Sequence, residues 1–347
     1  MKRSHFAPLL ALPIALCAAS AQAAESSSVK ISGFGTGALT WADVDDAQFA
    51  RGNQASGAGK TARTGVDSNL GLQVDYSVND WVSLTGQGLV RKAGEDDYGA
   101  DPILAFAKFK LSDNLSVRAG RMGLAVFMIS DYRNVSYANV MLRPPQEVYS
   151  QVPLDSIDGV DVSWQRNIES TMLTTQFAYG RSTQTVVGDR RAIADDESVL
   201  NVVVEQGPFT IRLGRADAKL STKTAGFSSP KSKVSFTAAG LSMDWHDFVL
   251  LTEYAKTRGL GIDNNSWCVM GGYRIGKVLP FYNHADISGD TKQSTDTVGL
   301  RWDAFRSAAI KFQIDRVKPT GNGLLVNVRP GFHGPVTVGA VAVDFVF

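Results

Sequence analysis

The sequence predicts an all-β chain folded as a transmembrane antiparallel β-barrel of sixteen strands. Three observations predict it. Short segments with a period of two recur along the chain, each about the length of a tilted strand that crosses a bilayer. Tight turns alternate with long polar loops between them, as expected when one rim of a barrel faces the periplasm and the other the exterior. All six tryptophans fall at segment ends, where interfacial aromatic belts would lie, rather than at segment centres, where they would fill a soluble core.

The first segment, 29–41, opens on Val29-Lys-Ile-Ser-Gly-Phe-Gly-Thr-Gly and ends at Trp41, ahead of the long connection Ala42–Gly65. In 66–78, Leu70, Leu72, Val74 and Tyr76 alternate with Asn69, Gly71, Gln73 and Asp75. Asn79-Asp80 turns the chain tightly into 81–91, where Val82, Leu84, Gly86, Gly88 and Val90 oppose Ser83, Thr85, Gln87, Leu89 and Arg91. Segments 102–111 and 115–121 flank the turn Ser112-Asp-Asn114, and a third long connection then runs from about Met122 to Leu154. Pairs follow at 158–165 and 171–181, 198–206 and 209–218, and 234–245 and 248–257, each across a short turn. Ser182–Glu197 and Leu220–Lys233 are the long polar connections between those pairs. Trp267, Val269, Gly271, Tyr273 and Ile275 mark 266–275, which Gly276-Lys277 joins to 278–287. Segments 296–303 and 308–317 meet at Ala304–Ser307, and the loop Lys318–Pro335 leads to the last segment, 336–347. There Gly339, Val341, Val343, Phe345 and Phe347 oppose Ala342 and Asp344. A strand ending flush on Phe347 suits a barrel whose last strand must pair with its first.

Met1-Lys-Arg-Ser-His is a basic n-region, Phe6–Ala19 is apolar, and Ala21-Gln22-Ala23 is a small-x-small cleavage pattern. Together they predict a secretory signal peptide over 1–23 and a barrel domain over 24–347; the apolar run is too short to span a membrane. Leu16 before Cys17 lacks the small side chain of a lipoprotein signal. Without Lys2 and Arg3, 33 of the 35 basic residues remain against 34 acidic ones. That balance argues against a nucleic-acid partner. Cys268, the one cysteine left, allows no internal disulfide and reads as an inert small residue. A mean hydropathy of −0.07 is compatible with a barrel, because only every second residue faces lipid.

With these features in place, the chain resembles the Gram-negative general porins over its whole mature length. The opening Val29–Gly37 motif, Leu115-Ser-Val-Arg-Ala-Gly-Arg121 before the third long loop, and the terminal Phe347 carry the resemblance. It implies a homotrimer in the outer membrane, surrounded by outer-membrane lipid, with the third loop folded into the lumen. It also implies passive diffusion of small hydrophilic solutes and ions, without cofactor, metal or catalytic residue. The positions that match the family's basic ladder read Phe34, Asn69, Arg121 and Asp161, so only Arg121 keeps its charge.

Selectivity therefore has to be read from this chain's own charges. Alternation places Lys108, Lys110 and Arg118 on the inward phase. Arg121 shares the outward phase of Val117 and Ala119 unless a bulge at Gly120 turns it in. The third loop adds Asp131, Arg133, Arg143 and Glu147, and the returning strand adds Asp158 and Asp161. The expectation is a transverse field between Lys108, Lys110 and Arg118 and the acidic groups Asp131, Glu147 and Asp161. A substrate-selective channel, with Arg143-Pro-Pro-Gln-Glu147 shaping a site, is the alternative within transport. An outer-membrane hydrolase would have to use His284 with Ser288; His284 reads instead as a lumen-lining polar residue. Gly57-Ala-Gly-Lys60-Thr61 lacks the first glycine of a phosphate-binding loop, residue 54 being Gln54, and reads as a flexible loop. The remaining histidines have no metal-ligand spacing.

Overall fold

The computed structural model describes residues 28–92, 94 and 97–347; the expected signal peptide lies outside them. Among them, sixteen long strands form one closed antiparallel barrel: β1 (Val29–Ala42), β2 (Asn69–Ser77), β3 (Val82–Lys92), β4 (Tyr98–Lys110), β5 (Leu115–Gly123), β6 (Ser156–Ile168), β7 (Thr171–Thr185), β8 (Arg191–Gln206) and β9 (Phe209–Thr224), then β11 (Ser232–Trp245) to β17 (Val336–Val346). The latter group includes β12 (Phe248–Gly259), β13 (Ile262–Tyr273), β14 (Val278–Gly289), β15 (Gln293–Phe305) and β16 (Ala308–Pro319). A two-residue strand, β10 (Phe227–Ser228), only extends the β9 hairpin.

Each barrel strand pairs with its sequence neighbours, and β1 pairs with both β2 and β17, which closes the ring. Closure follows from the solvent: in hydrocarbon an unpaired sheet edge has no water to satisfy it. At the seam, Gly33 N donates to Phe347 O at 2.8 Å and Phe347 N donates to Gly33 O at 3.0 Å. The rings of Phe347 and Phe345 lie over Gly33 and Gly35, where a Cβ would meet them at 2.2 and 2.5 Å.

The outward phase is apolar and exposed, as at Leu70, Leu72, Val160, Phe177, Leu213 and Val298, and all six tryptophans are exposed on it. The inward phase is mainly polar or small, with larger apolar residues such as Phe236, Met270 and Phe281 where the third loop packs against it. Strand boundaries depart from the expectation chiefly in β7, β8 and β9. Residues 182–185, 191–197 and 220–224, expected as loop, continue the hairpins, leaving tips at 186–190 and 225–231. The connection 43–68 is packed rather than flexible: Ala47, Phe49 and Ala58 are buried with Leu325 and Phe332 of the 320–335 loop. His284 lies on the outward phase with Tyr282, and its Nδ1 is 2.7 Å from Asp296 Oδ1. The lumen-lining expectation for it is therefore corrected.

These tips set a topology test. Trypsin added to intact cells is expected to cut at Arg190 and Lys231, in the tips, and to spare residues 43–68. Cleavage confined to Lys277 in the short turn would invert the barrel.

Candidate pore constriction

The third loop, residues 124–155, folds into the lumen, and its composition explains why. Leu124, Val126, Phe127, Val148 and Leu154 are buried in one cluster with Ala216, Phe236, Ala238, Ala255, Cys268 and Ala285 of the inner wall. Small wall residues let the loop backbone approach closely: a Cβ at Gly214 would lie 2.5 Å from Val126 O. Phe127 packs against Phe236 and Tyr149 with centroid distances of 5.0 and 4.7 Å. Burying such side chains stabilises by about 1.5–3 kcal/mol each.

Polar clamps hold the rest of the loop. Glu253 on β12 accepts from Met128 N at 2.8 Å and from Tyr149 Oη at 2.5 Å. Lys311 on β16 donates to Ser136 O and Asn139 O, both at 2.6 Å, and to Met141 O at 3.1 Å, and pairs with Asp344 on β17 at 2.9 Å. Arg301 on β15 donates to Tyr137 O at 2.7 Å and Asn139 O at 2.8 Å. Tyr137 Oη reaches Arg306 O in the short β15–β16 turn at 2.9 Å. The loop thus packs on the inner wall from β7 round to β17 and descends almost to the rim opposite its origin. The side of the lumen it leaves more open includes the inward face of β4–β6, where Lys108 is exposed and Arg118 partly so.

The expected site residues separate into three groups. On the open wall, Arg118 makes a bidentate pair with Asp161 on the adjacent strand (Nε–Oδ1 3.1 Å, Nη2–Oδ2 2.5 Å) and its guanidinium lies 5.1 Å from the Phe106 centroid. Gln176 also donates to Asp161 at 2.9 Å. Lys108 is exposed beside Arg118. Lys110 is at the rim, paired with Asp113 of the short turn at 2.7 Å. The expected opposition of Arg118 and Asp161 across the bore is corrected: strand register makes them neighbours on one wall, so most of their field cancels locally.

Within the loop, Asp131 is exposed to the lumen and accepts from Arg212 Nη1 of β9 at 2.9 Å. Glu147 is buried against the far wall, accepting from Gln293 at 2.8 Å and Thr295 at 2.5 Å. Burial pushes its carboxyl above the usual range, with those two bonds pulling it back. It is an anchor rather than a pore-lining charge, a second correction. Arg143 is also buried, bonded to Asp67 and 3.2 Å from Asp315, with its guanidinium 4.8 Å from the Phe49 centroid. Arg133 and Arg91 share the carboxylate of Asp155.

Arg121 and Asp158 form the third group and are not pore-lining. Gly120 introduces no register shift, so both keep the outward phase of Val160 and Val162. They satisfy each other there (Nε–Oδ1 and Nη2–Oδ2, both 2.7 Å), and Arg121 also donates to Pro102 O at 3.2 Å. Sequence reasoning missed Glu253, Arg212, Lys311, Asp315 and Asp344 as loop anchors. Their signal was available: each is a charge on the inward phase of an alternating strand.

A charge test follows from the wall pair. Arg118→Ala leaves Asp161 without its cation, and the reversal potential in a KCl gradient is expected to move towards cation preference. An unchanged potential with the barrel still folded would remove this pair from the conduction path.

No protein-family model and no curated protein sequence matches the chain. Solved structures do. OmpF of Salmonella typhi, in complex with daunomycin, superposes with a TM-score of 0.62 at 13% identity, covering 92% of this chain and 97% of that one. An anion-selective porin from Comamonas acidovorans gives 0.60 at 16% identity over 92% and 99%. The outer-membrane protein OmpT of Vibrio cholerae gives 0.59 at 12% identity over 93% and 99%. At these identities the likeness is one of fold, and the fold is that of the Gram-negative outer-membrane porins.

Proposed function

We propose that this chain is an outer-membrane channel for passive diffusion of small hydrophilic solutes and ions. The observation that carries the reading is the inward-folded loop inside a closed barrel with a polar inner wall and an apolar outer belt. A barrel that only anchors something needs neither a polar lumen nor a loop that narrows it. The hydrolase alternative loses its one candidate, because His284 faces outward and is bonded to Asp296. Reconstitution in a planar bilayer tests the proposal: discrete, ohmic conductance steps are expected, and a folded barrel closed at every voltage would overturn it.

We also propose that three copies associate through the β1–β5 face. That face sets outward glycines, Gly37, Gly86 and Gly88, at which a Cβ would meet nothing within 4 Å, among exposed apolar residues such as Leu70, Leu72 and Leu84. An in-vitro folded form of Vibrio cholerae OmpT is described as a trimer. Light scattering in detergent is expected to give three times the protomer mass, and Gly86→Arg is expected to reduce it to one.

A further inference from the structure

Where the 43–68 connection, the end of β3 and the inward loop meet, a small cavity of about 90 Å³ is lined by Arg51, Arg91, Arg133 and a single carboxylate, Asp155. Its other polar lining includes Asn53, Asn134 and Gln146. Because Arg91 is at the top of its strand, far from the short β2–β3 turn, the cavity opens at the long-loop rim. Arg91 and Arg133 remain partly solvent-accessible, with side-chain exposures of 23% and 14%.

Charge does not balance there. Asp155 accepts from both Arg91 and Arg133. The side chain of Arg51 has no hydrogen-bond or ion-pair partner among the described residues, and the carboxylate that attracts it, Asp67, is bonded to Arg143. Within the lining itself three guanidiniums face one carboxylate, with Asp67 and Asp101 attracting Arg51 and Arg91 from outside it. Burial, and then the neighbouring Arg91 and Arg51 charges, pull the Arg133 guanidinium below the ordinary arginine range. Guanidiniums are planar forks matched to oxyanions.

We propose that this cavity binds small solutes bearing two negative charges on oxyanion groups, dicarboxylates above all, as they enter the channel; the entry route rests on the channel reading. A dianion can engage both ends of this basic lining, one carboxylate at Arg51 and the other at the Arg91–Arg133 pair, whereas a monocarboxylate engages only one.

The test uses the full chain in a planar bilayer in KCl, with succinate and acetate as probes at matched ionic strength. Succinate is expected to halve the current at a concentration about tenfold lower than acetate, the scale of one charge-assisted hydrogen bond. Arg51→Gln breaks no ion pair, so it is expected to fold and conduct but to lose that preference; Lys277→Gln, in a short turn, is expected to keep both the parental KCl conductance and the preference. Equal block by both probes in the parent protein, or an unchanged preference in conducting Arg51→Gln, would overturn the site while leaving the channel standing. If no channels form, the channel reading fails first. Calorimetric titration of succinate into the detergent-solubilised protein then reads the site alone: binding lost in Arg51→Gln supports it, and no binding to the parent overturns it.

Discussion

Lys311→Met is expected to raise single-channel conductance severalfold and to make the open channel noisy. The substitution keeps the aliphatic stem and removes the ammonium that gathers the carbonyls of Ser136, Asn139 and Met141 onto β16. It also leaves Asp344 buried without its cation, although Thr36 at 2.7 Å and Ser136 at 3.0 Å still donate to it. Removing one partner of a buried pair costs about 3–5 kcal/mol; Met141 and Leu142 stay packed on the wall, but residues 136–139 lie outside the apolar clusters and keep only the Arg301, Tyr137 and Ser136 bonds. The loop should therefore detach from the β16–β17 wall at its lowest point, where the bore is narrowed from that side. The two contributions can be separated. Lys311→Met with Asp344→Asn removes the stranded charge, so thermal stability should recover while the enlarged conductance persists. Trypsin should also gain access to Arg133. Parental conductance and protease resistance in a folded Lys311→Met protein would show that the apolar clusters and the remaining clamps, such as Glu253 and Arg301, position the loop without Lys311.

Much of this architecture follows from alternation, because the bilayer imposes a single rule on every strand: apolar outward, anything else inward. That is why the segments around Leu70–Tyr76, Val82–Val90 and Trp267–Tyr273 could be phased without any knowledge of partners. The rule weakens where strands rise above the hydrocarbon. In β8 and β9, outward Arg215, Asp217 and Lys219 are satisfied by one another, by Thr237 and by Asp196, so polarity there marks height, not the end of a strand. Arg121 and Asp158 were misplaced for the same reason: outward charges are tolerated when they pair bidentately. The inward loop was legible from Met122-Gly-Leu-Ala-Val-Phe-Met-Ile129, an apolar run with no strand to belong to. Inward charges marked its wall anchors as candidates, but their partners were not legible, since pairs such as Arg143–Asp67 and Lys311–Ser136 join residues far apart in sequence, and only the closed ring brings them together.

Gly159→Val is expected to abolish most folding of the barrel, the largest stability effect of any single substitution proposed for it. Gly120, Gly159 and Gly180 stand side by side across β5, β6 and β7 on the inward phase. A Cβ at residue 159 would lie 2.1 Å from Tyr179 O and 2.7 Å from the Gly180 Cα; one at residue 180 would lie 2.3 Å from Asp158 O. Gly120 adds a φ of +129°, a backbone geometry that side chains rarely adopt, and a Cβ there would be 2.3 Å from Ala105 O. These contacts are with backbone, so no rotamer change relieves them; the ladder itself must part, unlike the seam glycines, whose neighbours are movable ring tips. Overpacking usually costs about 1–3 kcal/mol, and separating paired strands within a membrane adds unsatisfied peptide groups that each cost several kcal/mol more. The location adds a functional consequence, since β5 and β6 are the two feet of the inward loop and carry the Arg118–Asp161 pair. Gly271→Val is the matched control: that glycine is outward on β13, a Cβ there would meet nothing within 4 Å, and the added methyls face lipid. Heat-modifiable mobility on a denaturing gel reads the folded fraction directly. Gly271→Val should fold as the parent does and Gly159→Val should remain almost wholly in the unfolded band; equal folding of the two would mean that the wall can spread at this row, and that the glycines are not what lets the three strands approach.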